Sequence, residues 1–155
     1  MSASAGGRYA YTPQIVVGGQ DQVVGSRKAA VEHAISARQT DPMVEIELKP
    51  MGKGHFHVVL APRKLKETAW VWVVMFDNRH DVDIKRGENS GKTLSYFNVV
   101  RHIERIAVWD GEAPLTVPVD VNNAWDNGRD GCAVIVQAGG YGPILGAARL
   151  VRSGS

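Results

Sequence analysis

A chain of 155 residues, 44% hydrophobic and 22% charged, has the makeup of a globular protein with one full core, or a core plus a small appendage; disorder is not its default. Its 18 basic and 16 acidic residues leave a formal charge of +2 with no Lys/Arg block, which excludes the clustered positive charge that nucleic acid binding needs. The single cysteine, Cys132, excludes an intrachain disulfide and any two-cysteine redox or zinc motif.

Taken in order, residues 1–8 are small and predict a flexible N-terminus without the apolar core of a signal peptide. No run of about 18 apolar residues exists, so the sequence predicts no membrane span, and a cytoplasmic place by default. Residues 9–40 read as one small unit. The segment Tyr11 to Gly25 holds two short β-branched runs about the turn Gly18-Gly19-Gln20-Asp21, the pattern of a hairpin. Ser26 is placed to cap a helix from Arg27 to about Arg38, whose stripe is Ala30, Val31, Ala34, Ile35 and Arg38.

Asp41-Pro42 marks a boundary, and residues 43–151 read as an antiparallel β domain followed by a tail at 152–155. Val44 to Leu48 alternates as a half-exposed strand, Pro50 to Gly54 turns the chain, and His55 to Leu60 returns as a second strand. Trp70-Val-Trp-Val-Val-Met-Phe76 is a buried strand by its β-branched and aromatic density. A turn is expected around Asn78 to His80, with a return at Val82 to Lys85. Thr93 to about Ile106 is expected as a further strand from its Val, Ile, Tyr and Phe content, although Phe97, Val100, Ile103 and Ala107 would also fit a helical stripe, and Asp110-Gly111 is a turn. Pro118 favours an edge position for the strand Leu115 to Val119, and Asn122 to Gly131 reads as a long polar loop. Cys132 to Gln137 and Ile144 to Val151 form the last pair. The expected fold class is α+β, mainly β: an antiparallel β-sandwich or open barrel preceded by a β-β-α piece.

Three blocks then stand out together: Tyr11-Thr-Pro-Gln-Ile-Val-Val17, Arg86-Gly-Glu-Asn-Ser-Gly-Lys-Thr-Leu-Ser-Tyr-Phe-Asn-Val-Val-Arg101, and Val134-Ile-Val-Gln137 with Gly142-Pro-Ile-Leu-Gly-Ala-Ala-Arg149. In this order they resemble the bacterial domain of unknown function 1223 family, secreted or periplasmic proteins with an N-terminal thioredoxin-like domain and a C-terminal β domain. The resemblance implies that residues 9–40 are the second half of a thioredoxin-like domain. It also implies that Thr12 and Pro13 are the cis-proline loop that faces redox cysteines in that fold. Those cysteines would precede Tyr11, where this sequence has none, so the expectation is a truncated, non-catalytic fragment of a thiol-disulfide protein, with no cofactor. Its expected partners are a second copy or a thioredoxin-like N-terminal half, and the family resemblance implies a periplasmic or secreted location. The rival expectation is a free-standing β-sandwich binding module using the Trp70/Trp72 face or the Trp125 loop.

No catalytic constellation is expected. Gly87 to Thr93 has three residues between its glycines where a P-loop needs four, and extended residues follow it. Glu88, Asn89, Asn98 and Arg101 are read as a polar network or ligand site. His55 and His57 share one strand face but lack further ligands, and Asp126 to Gly131 lacks the bidentate acid of a calcium loop, so no metal is expected. Asp77, Asp81 and Asp83 are read as solubilising carboxylates at a turn.

Overall fold

The computed structural model describes residues 13–152, which divide after Pro42 into two compact units. The expectations for residues 1–8, for Thr12 and for residues 153–155 fall outside the described residues.

The first unit is a hairpin of β1 (Gln14–Val17) and β2 (Asp21–Val24) followed by α1 (Lys28–Arg38). Gly18 and Gly19 both take positive φ, 60° and 75°, which lets the chain reverse where other residues would be strained. Helix α1 starts one residue later than expected, with Arg27 at the N-cap and no side-chain cap bond from any residue, Ser26 included. Of the anticipated stripe, Ala34 is buried, whereas Ile35 stays 45% exposed. The helix is tied to the hairpin by Arg38. Its Nε and Nη2 donate 2.8 and 3.2 Å to the two carboxylate oxygens of Asp21, a forked pairing that fixes direction as well as distance.

The second unit is mainly β and antiparallel throughout. Its strands are β3 (Glu47–Gly52), β4 (His55–Leu60), β5 (Ala69–Asp83), β6 (Thr93–Trp109), β7 (Leu115–Asp120), β8 (Gly131–Ala138) and β9 (Ile144–Val151). They form a three-stranded sheet in the order β3-β4-β7 and a four-stranded sheet in the order β6-β5-β8-β9. Alternation decides what each sheet buries. Phe56, Val58 and Leu60 from β4 meet Ala69, Val71 and Val73 from β5, with Cys132, Val134 and Val136 from β8, in one core. Each of the Val, Leu and Phe side chains among them, when fully buried, contributes about 1.5–3 kcal/mol. Pro118 sits on the edge strand β7, where its missing N–H costs no ladder bond.

Three boundaries differ from expectation. Strand β3 begins at Glu47 and runs through Pro50-Met51-Gly52, so only Lys53 and Gly54 make the turn, and Val44 lies before the strand as a core residue whose N–H donates 2.6 Å to the Leu145 carbonyl. No turn occurs at Asn78 to His80. Strand β5 continues to Asp83, and its reversal falls at residues 84–92. The polar residues there pair laterally with β6, from Asp77↔Val99 to Asp83↔Thr93, whereas pairing with β8 ends at Phe76↔Gly131. The ladder satisfies the backbone whatever the side chains are, so a two-stranded arm extends beyond the core. The third difference is α2 (Asn122–Asp126), a short helix within the expected polar loop.

Strand β6 carries two bulges, where one extra residue faces Val71/Trp72 and another faces Met75/Phe76. By register these are Ile106 and Arg101. Bulges twist and re-aim an edge strand, and β6 is an edge.

Candidate functional site

The residues singled out from sequence end up far apart. Glu88 and Asn89 lie in the 84–92 reversal, where Lys92 Nζ donates 3.3 Å to Asn89 Oδ1. Asn98 lies on β6 with φ of 51°, a left-handed conformation that Asn tolerates better than most residues. From Thr93 to Asn98 is five strand residues, about 17 Å of arm. Arg101 is further still, at the base of the arm, and its Nε lies 3.4 Å from Asp77. The four residues therefore do not form one network. What the structure builds instead is a clasp on Asp77. Arg129 Nη1 lies 2.9 Å from each of its oxygens, the side chain is 13% exposed, and Asp130 Oδ2 accepts from the Asn78 N–H at 2.8 Å. Asp77 is thus a structural anchor, unlike Asp81, which lies exposed on the arm with Arg79 and Ser95. Donation from the Ser95 hydroxyl, then from Arg79, holds the Asp81 carboxyl below the usual carboxylate range.

Asp130 and Asp126, read in sequence as parts of an incomplete calcium loop, are separated by structure, one at the arm base and one ending α2. Among the described residues no group of three His, Cys, Asp or Glu side chains gathers as a metal site would need. Cys132 is fully buried, and burial pushes its thiol up to about 12, so it is held as the neutral, unreactive form at physiological pH.

The tryptophans separate into three environments. Trp70 and Trp72 project from the face of the four-stranded sheet opposite the core, 5.5 Å apart between ring centroids, with Tyr141 5.8 Å from Trp70 and the Arg105 guanidinium 4.4 Å over it. Gly140 lies flat on the Trp70 ring, where a side chain would collide with it. This cluster already stacks on itself. Trp109 is buried, and its Nε1 donates 2.7 Å to the Ala113 carbonyl.

Trp125 differs. It sits on α2 beside an open cleft of about 380 Å³ between the β3–β4 turn, α2 and the end of β9. Among the described residues its Nε1 has no acceptor, and its ring, half-buried against the core, has no aromatic or cationic partner. The apolar part of the cleft is Leu48, Phe56 and Leu150, and the polar part includes Lys53, His55, Asn122 and Asp126. Trp125 and His55 stand 70 positions apart in the sequence, and nothing in their spacing signals that the β3–β4 turn folds against α2.

The cleft's polar wall is built around Asn122. Its Nδ2 lies 2.9 Å from Asp120 Oδ1, 3.1 Å from His55 Nε2 and 3.2 Å from the Lys53 carbonyl, so two hydrogens are shared among three neighbours. The Asn122 backbone N–H also donates 2.8 Å to Asp120 Oδ1. That bond, then the Asn122 side chain and the nearby His55, hold the Asp120 carboxyl below its ordinary value. Gly54 makes the arrangement geometrically possible. It takes φ of 69°, its carbonyl accepts the Val121 N–H at 2.8 Å, and a Cβ there would stand where the Asn122 amide lies. Arg152 closes one side, donating 3.1 Å from Nη1 to the Trp125 carbonyl.

Fold and site together define a small two-unit protein with an antiparallel β unit, a lone sealed thiol and an open cleft lined by an unstacked indole. The chain belongs to the DUF1223 family, described as a protein of unknown function, whose model matches residues 1–137. It is similar to the crystal structure of protein AGR_C_4864 from Agrobacterium tumefaciens, a structural genomics target, at 25% identity and a TM-score of 0.75. The match covers 94% of this chain and 64% of that one, so the chain spans less than two thirds of that solved protein. No curated protein matches it. Among the described residues no helix is long and apolar enough to cross a membrane.

Proposed function

We propose that the β unit is a non-catalytic binding module, an antiparallel sandwich whose ligand site is the cleft beside Trp125, carried in a protein whose first unit is the second half of a thioredoxin-like domain. The observation that carries the binding reading is Trp125 itself: a half-buried indole with no aromatic partner, lining a cleft of about 380 Å³, within the size range of small-molecule sites. The thioredoxin-like part is supported by the β1-β2-α1 order and by Pro13 just before β1. Thiol chemistry in this chain is disfavoured because its one thiol is sealed in the core and held protonated.

The test is to follow the four indole N–H signals by NMR while adding neutral and acidic disaccharides, free amino acids and mononucleotides, with Trp125 assigned by Trp125→Phe. At least one of these ligands moves the Trp125 signal and leaves Trp70 and Trp72 in place. Movement of Trp70 and Trp72 alone would transfer the site to the aromatic face, the second reading, which Tyr141 favours by standing 85% exposed beside Trp70. No movement by any ligand would defeat the cleft as a site.

A further inference from the structure

Resting on the binding reading of this cleft, we infer that its ligand is an acidic sugar, a uronic-acid-type pyranose that stacks on Trp125 and presents its carboxylate to Lys53 and Arg152. Three features of the cleft combine to select that chemistry.

The first is the pairing of a flat indole with an apolar floor of Leu48, Phe56 and Leu150. A pyranose ring has an apolar C–H face and a polar hydroxyl rim, and an aromatic wall takes the face while leaving the rim to hydrogen-bonding groups. The second is that donors and acceptors both line the cleft. Among the lining residues the Trp125 indole and Lys53 carry donors and Asp126 an acceptor, whereas Asn122 Oδ1 lies against Gly54. Hydroxyls satisfy both kinds of group at once. A purely apolar acid, aryl or aliphatic, would leave Asp126 facing hydrocarbon, at the cost of its hydration.

The third feature is charge. Lys53 and Arg152 stand at the rim with no carboxylate partner among the described residues, against one lining carboxylate, Asp126, which is likewise unpaired. These cations face Asp126 in the lining and, behind Asn122, the Asp120 carboxylate, so the acid preference rests on two cations that no carboxylate pairs and not on a net charge. A sugar phosphate offers the same attraction, and galactose 6-phosphate binding more tightly than digalacturonic acid would overturn the carboxylate assignment. The cleft volume of about 380 Å³ leaves room for one or two hexose rings.

The experiment compares digalacturonic acid with neutral digalactose, using the full chain, by titration calorimetry and the Trp125 indole signal. The acidic disaccharide binds about tenfold more tightly at low salt, the size of one charge-assisted hydrogen bond, and added salt narrows the gap. Lys53→Gln, an exposed substitution that leaves the fold intact, removes most of that preference and spares the neutral sugar. Equal binding of both sugars would overturn the acid preference and leave the binding reading standing. Phenylacetate binding more tightly than either sugar would overturn the sugar assignment. A Trp125 signal that no probe moves would overturn both readings together.

Discussion

Gly131→Ala is a one-carbon change whose sign the structure decides. Gly131 pairs directly with Phe76 across β5 and β8, and a Cβ at Gly131 would press on three carbons of the Phe76 ring. The ring has little room to retreat, because it is 5% exposed and the Arg149 guanidinium lies 4.8 Å from its centroid, itself tied to Asn78 at 2.8 Å. Two effects oppose each other. Alanine restricts the unfolded chain and would stabilise by about 0.4–1 kcal/mol where the native backbone accepts it. Overpacking a filled site costs about 1–3 kcal/mol. The net expectation is a loss of roughly 1–2 kcal/mol, about 4–8 °C or more in Tm for a unit of this size. Urea unfolding followed by circular dichroism reads the change directly. The companion variant sharpens it. Phe76→Leu removes the obstructing ring edge, so Gly131→Ala made in the Phe76→Leu background costs less than it does alone, with a coupling of at least about 0.5 kcal/mol. A Gly131→Ala protein as stable as the parent, or two changes that add independently, would refute the claim that the Phe76 ring is what requires glycine there.

Other expectations follow from single contacts. Cys132 stays unreactive toward a thiol reagent at pH 8 until the protein unfolds, since burial holds the thiol at about 12; prompt labelling of the native chain would contradict its placement. Arg129→Gln leaves Asp77 with the longer Arg101 contact and costs about 1.5–3 kcal/mol by chemical denaturation; a neutral result would mean the clasp is not holding the arm base. The Asp21 carboxyl is lowered chiefly by its hydrogen bonds from Arg38. Its contribution to stability is complete above the unfolded carboxylate range and fades as pH falls through the lowered folded value. Arg38→Gln should return that titration to ordinary carboxylate pH, observable by carboxyl carbon NMR; an unchanged midpoint would refute the cause. Gly54→Ala should displace the Asn122 amide and shift the Trp125 indole signal, and an unmoved signal would sever the turn from the cleft wall.

Much of the strand order could be read from residue pattern, because a strand with one buried face must alternate. Val44 to Leu48 shows this alternation, Cys132 to Gln137 announces itself instead as a short apolar run, and the register of β4 follows from Phe56, Val58 and Leu60 all facing the core. The same logic misplaced the end of β5. Asp77 to Asp83 is polar enough to look like a turn, but its backbone is satisfied by β6, and no side-chain pattern reports that. The helix α2 was hidden for a related reason: five residues are too few to show a helical period.

Composition and spacing by themselves determined that this chain is mainly β, that it holds one thiol, and that it has no clustered positive charge for a polyanion. These are properties of residue identity and of short-range alternation, which survive without knowledge of contacts. Only the tertiary structure decided which polar residues meet. Lys53 and Asn122 are 69 positions apart, and Asp77 and Arg129 are 52 apart, so their pairing depends on how strands are ordered in the sheets. The cleft beside Trp125 is a product of that ordering. Its wall comes from a turn and a short helix that meet because β4 and β7 are neighbours in one sheet, with His55 opposite Asp120.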